Sequence, residues 1–254
     1  MAITVGTPSV ARSGVSLLSS LAIPAPSGLD ATMLDLVIAG TSDNLNDLTL
    51  ALSNDGTAFT TVVSANMVTS GDRTGDILIA RKTGAASPGN TTLSITGTYN
   101  SQGIAAARFG ISGVNLTSPI DGTSSITRGT VSGNPSTPTL SVAGITTTQA
   151  NCLVIAWVLA RAVSDADASG FGTVSGWTKH VGFQSEFTTP AVSLGVYSKT
   201  VASAGASGAL DAVLNNGGNN TDYPWHGGMI AIAPAGGGGG PTGPSGVLVN
   251  FFGL

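Results

Sequence analysis

The chain contains few charged residues, and this scarcity excludes several classes of function. Only 9% of its 254 residues are charged, with nine Lys plus Arg, thirteen Asp plus Glu and a net charge of −4. Scattered cations do not supply the positive stripe of a nucleic-acid groove, so we expect no nucleic-acid partner. So few charges would also solvate a free monomer poorly. The composition therefore favours a surface covered by partners or by further copies of the chain; the alternative is a soluble monomer coated in Ser, Thr and Asn.

Cysteines, long apolar runs and helix formers are scarce as well. Cys152 is the only cysteine, so no intrachain disulfide can form. No apolar run approaches the ~20 residues of a membrane-spanning helix, and the N-terminus lacks the basic and apolar segments of a signal peptide. We therefore expect no membrane partner and synthesis in the cytoplasm. Glu186 is the one glutamate and there are three lysines, whereas β-branched residues and turn formers abound. This balance predicts an all-β protein.

Several short motifs occur twice at nearly the same spacing. The sequence Leu-Val-Ile-Ala at residues 36–39 returns at 153–156, a shift of 117 positions. Three further landmarks recur at a shift of 117 or 118: Lys82-Thr83 with Lys199-Thr200, Leu93 with Leu210, and Phe59-Thr60 with Trp177-Thr178. The recurrence predicts an internal duplication of a module of about 115–120 residues.

Each module is predicted to be an antiparallel β-sandwich. Six or so strands per module, separated by turn signals, predict a jelly-roll-like sandwich, although an immunoglobulin-like topology also fits. The bounds are residues 1–117 for module 1 and 118–235 for module 2. The continuous apolar runs 34–39 and 152–159 are the predicted central strands. Residues 116–134 show no periodicity, and residues 215–226 are predicted to be an insertion in module 2.

The C-terminus is predicted to be a tethered docking peptide. Residues 236–246 form a Gly/Pro linker that could span about 35 Å when extended. An apolar octapeptide follows at residues 247–254, and such a segment invites aggregation unless something covers it. We expect it to add a strand to a neighbouring subunit or to fill a groove there; the alternative is that it covers a sheet of its own chain. The partner-binding residues would be Val247, Leu248, Val249, Phe251, Phe252 and Leu254.

One loop of module 2 has the oxygen pattern of a calcium site. Asp165, Asp167 and Ser169, followed by Gly170, match the first half of a calcium loop, but position twelve is Gly176 instead of an acid. The alternative is a solvated loop with Asx turns. Calcium is the one cofactor that the sequence suggests.

A dense aromatic and ionisable cluster lies in the predicted insertion. Its members Asp222, Tyr223, Trp225 and His226 could form a stacking platform for sugars; the alternative is a lid over the end of the module 2 core. The chain has no Gly-x-Ser-x-Gly elbow and no metal-type histidine spacing, and nothing nominates a pair of catalytic carboxylates. We therefore predict no catalytic residues.

The order of these motifs resembles virion proteins of tailed bacteriophages. The resemblance rests on the Leu-Val-Ile-Ala strand, then Gly176-Trp177-Thr178, then Val196–Thr200 with an Ala/Ser/Gly loop, and it covers most of residues 30–235. Such proteins are β-sandwich decoration, tail and accessory proteins, generally without catalytic residues. The resemblance implies a non-enzymatic structural protein in the virion, present in many copies or as a homo-oligomer, whose partners are capsid or tail subunits. A host-glycan-binding module is the alternative, and a polysaccharide-degrading enzyme is the third hypothesis.

Overall fold

The computed structural model is an all-β protein built from antiparallel sheets. It describes residues 2–13, 18–43, 48–53, 58–66, 74–84, 88–97, 102–132, 137–162, 170–185, 191–215 and 222–236. These residues form twenty strands and no helix, which confirms the predicted fold class. Within these ranges, no helix has the length and apolarity that crossing a bilayer requires.

The first half of the chain supplies nine strands in two sheets. The large sheet has the order β1-β9-β4-β7-β6, with β2 also paired to β9, and the small sheet has the order β3-β8-β5. The strands are β1 (Thr4–Val5), β2 (Ser9–Arg12), β3 (Ser20–Ile23), β4 (Leu34–Asp43), β5 (Thr49–Leu52), β6 (Thr60–Asn66), β7 (Thr74–Thr83), β8 (Thr91–Thr96) and β9 (Gln102–Ser112).

The second half repeats this arrangement of sheets. Its large sheet has the order β10-β20-β14-β17-β16, with β11 also on β20; its small sheet is β12-β19-β15, and β13 pairs with β18. The strands are β10 (Ile120–Thr123), β11 (Thr127–Ser132), β12 (Thr139–Val142), β13 (Thr146–Thr147), β14 (Cys152–Ala162), β15 (Gly170–Phe171), β16 (Thr178–Gln184), β17 (Ala191–Val201), β18 (Gly205–Ala206), β19 (Leu210–Asn215) and β20 (Asp222–Ile232).

In each half the strands pair in a nested way. β2 pairs with β9, β3 with β8 and β4 with β7, so early strands meet late ones and successive pairs fall alternately in the large and the small sheet. This nesting is that of a jelly roll, in which a long antiparallel hairpin wraps into two sheets. One strand departs from it, because β6 lies beside β7 in the large sheet and leaves β5 at the edge of the small one.

The two large sheets pack face to face, and the small sheets cover their outer faces. Three clusters of buried side chains result: a central core between the large sheets, and one outer core in each half. The central core takes residues from both halves, including Ile38, Phe109, Trp157 and Ile230. The protein therefore has four layers, and each large sheet is buried on both faces.

Burial on both faces explains the continuous apolar runs. Side chains alternate along a strand, so an apolar run places every second residue on each face. In β14, Ile155 and Trp157 enter the central core, whereas Val154 and Ala156 enter the outer core of the second half. This arrangement also accounts for part of the low charge, because two of the four layers have no solvated face.

The repeated motifs do not keep a constant structural register. Leu36 on β4 lies opposite Arg81 on β7. A uniform shift of 117 would place its sequence match Leu153 opposite Ser198. Leu153 instead lies opposite Thr200, two residues further along β17. The Leu-Val-Ile-Ala match and the Lys-Thr match therefore cannot both be structurally equivalent. A slip of two residues keeps every side chain on its own face. The internal duplication and the module bounds stay predictions, while the shared strand order is an observation.

Candidate functional site

The aromatic cluster of the second half lies on a strand and not on a loop. Residues 222–226, predicted to be part of an insertion, begin β20, where β11 pairs with them from Ser132 opposite Asp222 to Arg128 opposite His226. Trp225 is 8% exposed and packs in the outer core, while His226 is fully buried. The side chains of Asp222 and Tyr223 lie outside the described residues. Since a sugar-stacking platform needs an exposed ring face, Trp225 and His226 do not provide one in this arrangement.

The His226 ring is fully buried, and neither of its nitrogens is hydrogen-bonded. Its ring meets that of Trp157 edge to face, with the centroids 5.4 Å apart. Neither His226 nitrogen has a hydrogen-bond partner, and the same holds for Trp157 Nε1. Burial, together with the positive charge of Arg128 on the neighbouring strand, lowers the pKa of His226 to about 3. The imidazole is therefore neutral at physiological pH and forms part of the core.

The other predicted sites lie outside the described residues. This applies to the calcium loop with Asp165, Asp167 and Ser169, and to the whole C-terminal peptide 247–254. Among the described residues there is no group of three or more His, Cys, Asp or Glu side chains placed to hold a metal ion.

A buried ionic cluster anchors one end of the first half. Arg108 donates from Nε and Nη2 to the two carboxylate oxygens of Asp35, at 2.9 and 2.7 Å, and its Nη1 donates to the Gly89 carbonyl. Lys82 Nζ lies 3.8 Å from Asp35 and 4.5 Å from the ring centroid of Phe59. The side chains of Asp35 and Arg108 are fully buried, so removal of either one would leave a charge in the core. The cluster is a structural anchor.

The repeated Lys-Thr and aromatic-Thr motifs make the same contact in both halves. Lys82 lies over Phe59, and Lys199 Nζ lies 5.6 Å from the ring centroid of Trp177. Each aromatic residue directly precedes the edge strand of a large sheet, and each lysine lies on the strand beside it. A cation–π contact thus explains why these residues recur together.

Cys152 takes part in a second polar cluster. Asp121 accepts hydrogen bonds from the backbone and hydroxyl of Thr148 and from Gln149 Nε2. Burial and the Asp121 carboxylate raise the pKa of the buried Cys152 thiol to about 11. The thiol is therefore protonated at neutral pH and is a poor nucleophile.

A cleft lies between the two sheets of the first half. It opens between β5 and β6, has a volume of about 110 Å³ and is termed the β5–β6 cleft. At its base the buried Asp76 accepts a hydrogen bond from the backbone N–H of Leu48 at 2.9 Å. In the described chain, β5 pairs with β8 alone, so its outer edge is open. The lining residues are Leu48, Thr49, Leu50, Ser64, Ala65, Asp76 and Ile77.

Sequence reasoning missed both the ionic cluster and the cleft. A signal for the cluster was present, since Asp35 and Arg108 interrupt apolar strand sequences where a charge is stable only if paired. The cleft had no such signal, because its lining comes from separate strands, β5, β6 and β7, whose proximity the sequence does not reveal. Comparison of the chain with protein-family models, with curated proteins and with solved structures finds no match.

Proposed function

We propose that the chain is a non-enzymatic structural component of a bacteriophage virion, present in several copies. It acts through contacts with other capsid or tail subunits. The observation that carries this proposal is the edge of β5 that no described strand covers, beside the β5–β6 cleft. An unpaired strand edge offers backbone N–H and C=O groups to a strand of another chain, and a neighbouring cleft can receive its side chains.

The rest of the described surface supports assembly through a specific contact. Val10, 49% exposed, is the one large apolar side chain that is exposed within the described ranges. Nonspecific hydrophobic association therefore has little surface to use. Together with the apolar octapeptide beyond the described chain and the resemblance to virion proteins, this favours assembly by insertion of a peptide strand.

Sedimentation velocity tests the assembly function directly. The full-length chain is compared with a chain ending at Ala235, which keeps almost every described contact, including the hydrogen bond from the Ala235 N–H to Gly113. We expect the full-length chain to form larger species as its concentration rises, and the shortened chain to remain monomeric. If both chains sediment as the same monomer, assembly through the tail is refuted.

Membership of the virion needs a separate measurement. Mass spectrometry of gradient-purified particles from cells that express the gene should detect the chain beside the major structural proteins. Recovery of the chain in the soluble lysate alone would contradict a structural role in the particle.

A further inference from the structure

Three buried nitrogen atoms lie close together in the second half without a protein partner. They are the two ring nitrogens of His226 and Nε1 of Trp157, and none of them makes a hydrogen bond to a protein atom. His226 is fully buried, and Trp157 is 1% exposed. Folded proteins rarely leave buried polar atoms unpaired, because such atoms lose their hydrogen bonds to bulk water on folding. The cluster therefore calls for a ligand that can both donate and accept hydrogen bonds.

The two rings lie on one face of the large sheet, within the span of a single bridging molecule. Side chains alternate along β20, so His226 and Gly228 share the central-core face with Ile230 and Ile232. Trp157 on β14 lies opposite Gly228. The ring centroids of Trp157 and His226 are 5.4 Å apart, with the rings at 86°. Two hydrogen bonds of ordinary length that meet at one water oxygen span up to about 5–6 Å between their outer atoms.

A serine hydroxyl supplies a further polar group beside Gly228. A Cβ added to Gly228 would lie 3.2 Å from Trp157 Cε2, the carbon bonded to Nε1, and 3.4 Å from Ser124 Oγ. The bare glycine thus lets the indole N–H edge and the hydroxyl approach the same point of β20. Ser124 Oγ accepts a hydrogen bond from the Met229 N–H at 2.8 Å. A hydroxyl has one donor and two acceptor positions, so this contact leaves it able to bond once more in each sense.

We propose that Trp157, His226 and Ser124 form a binding site for one buried water molecule. The water accepts a hydrogen bond from Trp157 Nε1 and donates one to the unprotonated nitrogen of His226 and one to Ser124 Oγ. Three hydrogen bonds are the usual number for a buried water. A water suits the site because it is neutral, whereas an ion would bring an unpaired charge into the core. This inference concerns the central core and does not depend on the proposed function.

Hydration NMR on the full-length, ¹⁵N-labelled chain tests the site in solution. The indole resonance of Trp157 is assigned by its loss in Trp157→Phe. We expect a cross-peak between the Trp157 Nε1 proton and water, with nuclear and rotating-frame Overhauser effects of opposite sign, as a long-lived bound water gives. His226→Phe keeps a ring but offers no acceptor, so the cross-peak should disappear. His180→Phe changes the other histidine and should leave it unchanged. Absence of the cross-peak in the native chain, or its persistence in His226→Phe, would overturn the proposal.

A crystal structure of the native chain provides a second test, which needs no variant to fold. At a resolution that shows ordered water, we expect one water peak at about 2.7–3.2 Å from Trp157 Nε1 and from a His226 nitrogen. Three results would contradict the proposal: a direct hydrogen bond between the two rings, a dry contact without a peak, or a peak whose height and anomalous signal identify an ion.

Discussion

His226 couples the stability of the central core to pH. Its ring is enclosed beside Trp157 without a hydrogen-bond partner, and burial holds its pKa at about 3. In the unfolded chain a histidine titrates near 6.5. As the pH falls below 6.5, the unfolded chain therefore binds a proton that the folded chain does not, and stability decreases until the pH reaches about 3. Above pH 6.5 the imidazole is neutral in both the folded and the unfolded chain, and His226 causes no loss of stability.

His226→Leu should remove most of this acid sensitivity. Between pH 7 and pH 4.5 we expect the free energy of unfolding of the native chain to fall by about 2–3 kcal/mol through this residue, and that of the variant to change much less. Urea denaturation at the two pH values measures the difference. His180→Leu is the comparison: burial lowers the pKa of His180 as well, but the ring is only half-buried and its Nε2 contacts the Ser198 hydroxyl at 2.7 Å, so we expect a smaller loss of acid sensitivity than in His226→Leu. An unchanged pH dependence in His226→Leu would show that other groups cause the loss of stability at low pH.

At the scale of single elements, the interior strands were predictable, whereas the flanking strands β10 and β11 were not. The predicted central strands 34–39 and 152–159 lie inside β4 and β14, because residues buried on both faces give an unmistakable apolar run. The predicted irregular stretch 116–134 instead contains β10 and β11. In β11, Thr, Gly, Ser and one Arg alternate with a single Val, and no residue is fully buried, so the sequence carries no apolar periodicity. Pairing with β20 imposes the strand.

Contacts between strands of the two halves could not be predicted from the sequence either. Gly40 on β4 lies against Leu159 on β14, and a Cβ added to Gly40 would lie 2.5 Å from Leu159 Cδ2. The sequences of β4 and β14 do not indicate that the two strands face each other across the central core. The glycine is required there by the close approach of the two sheets.

Gly40→Ala should therefore destabilise the protein by about 1–3 kcal/mol through overpacking. In a Leu159→Ala background the added methyl group has space, so the same substitution should cost about 1 kcal/mol less, and a double-mutant cycle in urea measures this coupling. Gly172→Ala serves as the control, since the nearest atom to its added Cβ is 3.7 Å away. Additive effects of Gly40→Ala and Leu159→Ala would contradict the packing of the two sheets described above.

At the scale of the whole molecule, the central core makes the halves depend on one another. It is assembled from both large sheets, and Phe109 also meets His180 edge to face across it, with the ring centroids 6.0 Å apart. The predicted boundary at residues 117–118 falls in a segment that is hydrogen-bonded to the residue directly after β20: Asn115 N–H donates to the Ala233 carbonyl and Ala233 N–H to the Pro119 carbonyl. The sequence predicted two cores, and the third arises from their association.

A half expressed alone should consequently fail to remain a well-folded monomer. Residues 1–117 would expose the central-core face of β4, β7 and β9, an apolar surface far larger than soluble monomers tolerate. We expect this half to self-associate and to bind a hydrophobic dye, and we expect co-expression with residues 118–235 to restore a one-to-one complex without dye binding. Sedimentation velocity and dye fluorescence measure both outcomes. A monomeric first half that unfolds cooperatively and binds no dye would mean that the outer core suffices, and that the central core joins two units already stable on their own.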